Sequence, residues 1–416
     1  MSVRVELIVL ALAALAGAAH ANTSDEKLRL LMESARRQAA GSAAAGTRAS
    51  ITPERLKERS TLLEQGELDL ANLRVDAAQQ AFEKAALILH AADSEIALVR
   101  NYMQAGEYRR ALAFGAHTAG AHLDVVGGTA LYAWLLHVGG QEAVAKRLLD
   151  ATAARIPNNT VIKQVQQQLT SGTLLATGDL LALPLRLAPY SEKITLPSQA
   201  KITSSAVLLP GDSANAGRFA LVSLTKAGGK PNTLWLRNAL GQVSAAKVEK
   251  RLPKLGVTVL RLASPLPLPE GLATASGEAF PGSAGYAVQY PIAPGKPMAA
   301  PAWPQLHIGF VGGMAEPANA ASEDRLLGIS LPGQARGGPV FNGAGQLIGL
   351  AIQAAPGQAD LLVTSGQLAK ALGGSASKFG LAKVKAAGAA GAPAAVAADQ
   401  IYEASLKSAL QVITAP

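Results

Sequence analysis

Side chains that could carry out chemistry are sparse in this chain of 416 residues. It contains no cysteine, which excludes a thiolate nucleophile, cysteine-ligated zinc, an iron–sulfur cluster, a disulfide scaffold and a lipoprotein anchor. Four of the six histidines are scattered over the first half: His90, His117, His122 and His137. His117 and His122 are five residues apart without a third ligand nearby, so we predict surface or packing roles for them and no metal or other cofactor.

Two other candidate motifs carry little chemistry. The segment AGGKPN around Lys230 lacks the glycine spacing and the Ser or Thr of a phosphate-binding loop. Glu323 and Asp324 form an adjacent acidic pair, for which a solvated loop is a simpler interpretation than a cation site.

The segment GQARGGPVFNGAGQLIGLAI, residues 333–352, carries a sharper pattern. It resembles the nucleophile loop and following hairpin of trypsin-like serine proteases of the bacterial periplasmic type. Upstream, NALGQVSAAKVEKRLPKLGVTVLRL resembles the strands that lead to their catalytic aspartate, and PGSAGYAVQYP resembles a strand midway through them. The residues that match the nucleophile segment are Gly337, Gly338, Pro339, Val340, Phe341, Gly345, Ile348 and Gly349.

The resemblance implies a catalytic triad, and each triad position holds an unsuitable residue. Arg336 stands at the serine position, Gly256 at the aspartate position, and the histidine position falls near Leu224. An arginine is permanently charged and cannot act as a nucleophile. The family's oxyanion glycine is replaced by Gln334 and its neighbour by Ala335.

We therefore expect an inactive pseudoprotease with no catalytic residues. The residues expected to retain a binding role are Arg336, Gln334, Gly337 and Gly338. Arg336 has two interpretations: it binds a carboxylate of a partner through its planar fork, or it pairs with an acid of its own domain, such as Glu323 or Asp324.

Residues 58–169 show a repeat with helical periodicity. Ala78, Ala111 and Ala145 are spaced by one repeat length, and small residues at such positions allow paired helices to approach closely. The pattern resembles three tetratricopeptide repeats, which implies a concave protein-binding face; the alternative is an ordinary supporting helical bundle. The residues predicted to pack the repeats are Ala78, Phe82, Ala85, Tyr102, Gly106, Tyr108, Ala111, Gly140, Ala145, Leu149 and Pro157.

Composition divides the chain into segments. After residue 170, short β-type runs alternate with Pro, Gly and Ser, which predicts an all-β region. The predicted fold class is multidomain α + β, with tetratricopeptide-like helical repeats followed by an all-β trypsin-like double barrel. The predicted boundaries are a signal peptide at 1–21, a helical lead-in and connector at 22–57, repeats at 58–169, the β domain at 170–372, an Ala/Gly-rich linker at 373–398 and an amphipathic segment at 399–416.

The N-terminus predicts export. Arg4, an apolar run from Leu7 to Ala19 and the pattern Ala19-His20-Ala21 are typical of a signal peptide cleaved after Ala21, and an uncleaved anchor is the alternative. No later segment is long and apolar enough to span a bilayer. We expect a periplasmic protein.

Charge is uneven between the two halves. After residue 170 the chain has 20 Lys plus Arg against 12 Asp plus Glu, without basic clusters, which favours a solubilising surface. Nucleic acid is not expected as a partner, because the chain carries an export signal, few aromatic residues and no basic stripe.

The sequence thus predicts a non-catalytic scaffold or adaptor that binds a protein or peptide of the cell envelope. One alternative is a divergent trypsin-like serine endopeptidase, although no histidine lies between Leu183 and Pro281, and His307 is in the wrong chain order for such a triad. A further alternative is a structural subunit of an envelope complex.

Overall fold

The structure, a computed structural model, describes residues 51–170, 196–223, 234–277, 280–291, 302–314, 325–331, 334–353, 359–381 and 394–415. The predicted signal peptide at 1–21 lies outside these residues, as do Leu224, Lys230, Glu323 and Asp324. None of the described helices combines the length and the apolar character that crossing a bilayer requires.

Residues 51–170 form seven helices. They are α1 (Pro53–Ala71), α2 (Val75–Ile88), α3 (Ala92–Ala105), α4 (Tyr108–Ala121), α5 (Val126–Val138), α6 (Glu142–Arg155) and α7 (Thr160–Thr170). Helix α1 begins before the predicted boundary at residue 58, because Pro53 occupies its first turn and the Thr52 hydroxyl caps the Arg55 amide at 3.3 Å.

The predicted repeat is visible in the helix positions. Helices α2, α4 and α6 each have 14 residues. Ala78, Ala111 and Ala145 are each the fourth residue of their helix, and all three are fully buried. Side chains larger than a methyl group have no room at such positions.

The turns that precede these helices share one backbone conformation. Gly106 and Gly140 have φ angles of +79° and +83°, a left-handed region that glycine adopts without strain. The corresponding turn between α1 and α2 has Leu73, whose φ is +61°. The left-handed conformation costs a residue other than glycine roughly 1–2 kcal/mol. The turn between α1 and α2 therefore keeps the geometry of the other two turns although leucine disfavours it.

The β-rich region contains thirteen described strands. They are β1 (Lys201–Leu209), β2 (Phe219–Ser223), β3 (Leu234–Asn238), β4 (Val243–Leu252), β5 (Val257–Leu262), β6 (Ala284–Pro291), β7 (Gln305–Met314), β8 (Arg325–Gly328), β9 (Gln334–Ala335), β10 (Pro339–Asn342), β11 (Leu347–Ile352), β12 (Leu361–Thr364) and β13 (Ala409–Thr414). Helices α8 (Ser365–Leu372) and α9 (Ala398–Ser408) accompany them.

These strands build two antiparallel barrels. The first is closed in the order β1-β13-β3-β4-β5-β2. The second follows the order β10-β11-β12-β8-β7-β6, with β9 added beside β6, and closes through pairing of β10 with β6. Two successive six-stranded barrels are the architecture of the trypsin-like fold, so the predicted fold class of helices followed by a double barrel is confirmed.

Each barrel has its own aliphatic core. Leu208, Leu236, Leu260 and Leu410 are among the buried residues of the first, and Val311, Leu327, Val340 and Leu362 among those of the second. Such a core of Leu, Val and Ala is what a chain with only 17 aromatic residues can build.

The C-terminal segment was predicted to be separate from the β domain, but it forms part of the first barrel. Strand β13 is inserted between β1 and β3, with Lys201 opposite Thr414 and Asn238 opposite Leu410. Residues beyond 372 also continue the fold: a 3-10 helix spans Gly373–Phe379, and the Phe379 ring packs on Phe219 at 4.8 Å between centroids. Sequence periodicity could not reveal the strand's partners, because they are remote along the chain.

The described chain divides into two compact units. Residues 51–103 and 110–132 form the first, and residues 104–109 together with the described residues from 133 onward form the second. The second unit therefore contains the turn before α4, the end of α5, helices α6 and α7, and both barrels.

An aromatic cluster lies inside the second unit. The rings of Trp134 and Trp303 are 5.6 Å apart between centroids, and those of Tyr108 and Tyr402 are 4.6 Å apart. The Tyr402 hydroxyl donates to the Pro304 carbonyl at 2.6 Å, and the Tyr108 hydroxyl donates to the Leu135 carbonyl at 3.0 Å. All four rings are almost fully buried.

We expect Ala145→Leu to lower the free energy of unfolding by about 1–3 kcal/mol, because extra methylene groups overpack a buried contact. The control is Ala151→Leu on the same helix, where the alanine is exposed. Urea denaturation of both variants measures the difference. Equal stability of the two variants would contradict the assigned repeat position of Ala145.

Candidate functional site

The loop that corresponds to the nucleophile loop of the proteases runs from Gln334 to Gly338. Its first two residues form β9, which pairs with the end of β6: Ala335 lies opposite Tyr290, and Gln334 lies opposite Pro291. The backbone at the predicted oxyanion position is therefore part of a strand pairing.

The rest of the loop is held by backbone hydrogen bonds. The Arg336 carbonyl accepts from the Ser205 amide at 3.0 Å, and the Gly337 amide donates to the Ala351 carbonyl at 2.7 Å. The Gly338 amide donates to the buried Gln289 side-chain oxygen at 2.8 Å. These bonds engage both glycine amides within the protein itself.

Close packing explains why both glycines are needed here. Gly337 has a φ of +108°, and a Cβ atom on it would lie 2.3 Å from the Ser205 carbonyl oxygen. A Cβ atom on Gly338 would lie 2.2 Å from the Val288 carbonyl oxygen. Because any side chain would clash with backbone, the Gly-Gly pair has a structural reason that does not depend on catalysis.

Arg336 pairs with Asp360 of its own domain. Its Nε and one terminal nitrogen lie 3.0 and 2.9 Å from the same carboxylate oxygen, Oδ2. The two side chains are 20% and 12% exposed, so the ion pair is largely shielded from water. Glu323 and Asp324, the two acids expected as alternatives, lie outside the described residues, and no sequence pattern points to Asp360.

The remaining triad positions offer no catalytic group among the described residues. Gly256 ends a short 3-10 helix immediately before β5, with a φ of +62° and open space where a side chain would start. Leu224 follows β2 and lies outside the described residues, so its position as the histidine equivalent stays a prediction.

His307 on β7 is the histidine of the β region, and its environment is unsuited to general base catalysis. Burial, together with the charges of His137 and Arg336, lowers the pKa of His307 to about 4. Its Nε2 atom is buried without a hydrogen-bond partner among the described residues. A base with so low a pKa holds a proton weakly at neutral pH.

Solved structures of two protease domains are similar to part of this chain. The Rv3671c protease of M. tuberculosis in its active form matches 47% of this chain and 98% of its own, with 17% identity and a TM-score of 0.31. The MamO protease domain of Magnetospirillum magneticum matches 40% of this chain and 95% of its own, with 19% identity and a TM-score of 0.29. The strand order of the two barrels, rather than these similarities, identifies the fold.

The other comparisons found nothing. No protein-family model matches the chain, and no curated protein matches it.

The residues predicted to pack the repeats are buried with few exceptions. Phe82, Ala85, Tyr102, Tyr108 and Leu149 are almost completely shielded from solvent, as are the three alanines described above. Pro157 is exposed and follows the end of α6, where it prevents continuation of the helix instead of packing.

The expectation that His117 and His122 lack further ligands is wrong. Within the first unit, His90 and Glu95 lie beside them. His90 and Glu95 lie at the junction of α2 and α3, and tertiary folding brings this junction close to the end of α4. Their types are those of metal ligands, but their distance along the chain from His117 hides the proximity.

We expect Arg336→Ala to lower the free energy of unfolding by about 1–3 kcal/mol, because it leaves the shielded Asp360 carboxylate without its cation. Asp360→Ala should have a similar effect, and the double variant Arg336→Ala/Asp360→Ala should lose less stability than the sum of the two single variants. Urea denaturation measures the cycle.

The matched control for this cycle is Arg55→Ala. Arg55 and Glu58 form an ion pair whose side chains are 56% and 53% exposed, so its loss should change stability by less than about 0.5 kcal/mol. An Arg336→Ala variant as stable as this control would show that the buried ion pair contributes nothing.

Proposed function

We propose that the protein is a non-catalytic, exported scaffold that binds a protein partner of the cell envelope. The observation that carries the proposal is Arg336: it stands where the proteases have their nucleophile, and its guanidinium is paired with Asp360. A permanently charged side chain in an ion pair cannot attack a carbonyl group.

Two further features support a non-catalytic role. The peptide at Gln334, where the resemblance locates an oxyanion donor, lies in the strand pairing of β9 with β6. The aspartate position is Gly256, which has no side chain. Loss of one triad member alone lowers the rate of such proteases by several orders of magnitude.

The helical region supports a binding role. We assign helices α1–α6 to three tetratricopeptide-like repeats, on the basis of equal helix lengths in α2, α4 and α6, buried alanines at equivalent positions and left-handed turns before each of these helices. Stacks of such helix pairs have concave faces that bind peptides or proteins.

The second barrel offers another surface for a partner. Ile308 and Phe310 on β7 have 51% and 54% of their surface exposed, and their two-residue spacing places both side chains on one face of the strand. Met314, which is 52% exposed, lies beyond a shift in the register of β7 against β8. Clustered exposed apolar side chains are typical of protein interaction sites.

We expect that the purified protein does not react with a serine-directed fluorophosphonate probe and does not cleave casein. The matched control is Arg336→Ser, which restores a hydroxyl at the nucleophile position. It should also remain unlabelled, because His307, whose pKa the charge at position 336 affects, is buried and has a pKa of about 4, too low for a general base. Trypsin serves as the positive control for the probe.

Stoichiometric labelling of the natural sequence would favour the divergent endopeptidase instead. Mass spectrometry of the labelled peptide would then identify the reactive serine.

We expect Phe310→Asp to reduce capture of the envelope partner by about tenfold or more, because a charge in the centre of an apolar contact must be desolvated on binding. Val248→Asp is the control, since Val248 on β4 is also an exposed apolar residue, at 39%. Quantitative pull-down from an envelope extract compares the two.

If both variants capture the partner equally weakly, or if neither loses capture, the β7 face is not the binding surface. Circular dichroism of each variant verifies that the fold is retained.

A further inference from the structure

Four potential metal ligands converge in the first unit, remote in sequence from the protease-like loop. His90 lies in the connection between α2 and α3, and Glu95 lies in the first turn of α3. His117 lies in the last turns of α4, and His122 follows its end. Two consecutive helix connections thus contribute to one cluster.

Three of these side chains, His90, Glu95 and His122, can each place a ligand atom within 4.8 Å of the others, as ligands around a single ion do, and His117 adjoins two of them. His90 Nε2 and His117 Nε2 are 3.1 Å apart. Glu95 Oε1 is 3.3 Å from His117 Nε2, and Glu95 Oε2 is 3.4 Å from His122 Nε2. His90 Nε2 also contacts Glu95 Oε1. Tetrahedral ligands at 2.0–2.1 Å from zinc are separated from one another by about 3.3 Å, which these values approach.

The ligand atoms face one another and not another partner. Nε2 of His122 and both carboxylate oxygens of Glu95 are buried and form no hydrogen bond of normal geometry with any described residue. The potential ligand atoms of His90, Glu95 and His122 all lie within 4.8 Å of one another. Buried acceptors left without hydrogen bonds are costly, and a bound cation would satisfy them together.

Burial in the cluster is graded from the carboxylate to the rings. The Glu95 side chain is 1% exposed, whereas the three imidazoles are 17–18% exposed. The carboxylate is therefore the deepest group of the cluster, and the imidazoles lie nearer to solvent. An ion can reach the cluster from the side of the imidazoles.

The nearby buried arginines do not neutralise Glu95, because they pair with other acids. Arg59 contacts Asp93, and Arg100 lies 2.6 Å from Glu67. The counter-charge for Glu95 must then come from the three imidazoles or from a cation between them.

The donor set selects among metals. Two imidazole nitrogens and one carboxylate oxygen suit zinc and related transition ions, which can leave a fourth position open, whereas magnesium and calcium prefer oxygen ligands alone. We propose that His90, Glu95 and His122 bind one Zn²⁺ ion, with His117 adjoining the site. The ion would connect the α2–α3 junction to the end of α4 and so stabilise the first unit.

The experiment uses the untagged full chain without its signal peptide, stripped of metal with EDTA, because a histidine tag would itself bind zinc. Isothermal titration with ZnCl₂ should give one equivalent. Zinc should raise the Tm by about 5 °C or more, and EDTA should reverse the shift. Co²⁺ in place of zinc should give the intense visible absorption of a tetrahedral site.

Variants locate the site. Glu95→Gln, which keeps the shape of the side chain, and His122→Ala should each weaken zinc binding by more than about 100-fold, since removal even of groups that only support a ligand costs 10–100-fold. His137→Asn, which replaces a histidine outside the cluster, should bind zinc as the natural sequence does.

Several results would overturn the proposal. They are absence of stoichiometric binding to the natural sequence, an octahedral cobalt spectrum, or unchanged affinity in Glu95→Gln. Circular dichroism identifies a variant that has lost its helices. If His122→Ala has lost them, the zinc affinity of Glu95→Gln and the cobalt spectrum of the natural sequence test the proposal instead. Loss of binding in His137→Asn alone would place the ion elsewhere and refute the assignment.

Discussion

The second unit depends on one aromatic cluster. Tyr108 is the first residue of α4, Trp134 comes from α5, Trp303 from the segment before β7, and Tyr402 from α9. In a chain with 17 aromatic residues, four meet here, where each ring buries a large apolar area and two hydroxyls are satisfied by backbone carbonyls. The cluster fixes α9, and β13 follows α9 directly into the first barrel, so closure of that barrel is linked to the same contacts.

The protease-like loop shows how packing alone can require part of a sequence pattern that is otherwise known for its chemistry. Gly337 and Gly338 are required because neighbouring backbone oxygens leave no room for a Cβ atom. The position between β9 and these glycines is not restricted in this way, and it holds Arg336. The fold therefore constrains the glycines, whereas only catalysis would constrain the nucleophile.

Local patterns in the sequence predicted the elements but not their distant partners. The spacing of Ala78, Ala111 and Ala145 predicted the helix period, because burial on a helix repeats within a few residues. The Gly-Gly-Pro-Val segment predicted the hairpin of β10 and β11 and the double barrel. Asp360 beside Arg336, β13 beside β1, and His90 with Glu95 beside His117 and His122 were not predicted. Each of these depends on tertiary proximity between residues that no local periodicity connects.

Insertion of β13 between β1 and β3 has a consequence for biosynthesis. The first barrel begins with β1 and receives its sixth strand only from residues 409–414. While the chain is being synthesised, β1 and β3 each present an unpaired edge, although the strands of the second barrel have already emerged. Open strand edges promote aggregation, and pairing between distant segments is slow. The nascent protein thus passes through a period in which its open strand edges need protection from aggregation, and this period ends when β13 pairs with β1 and β3.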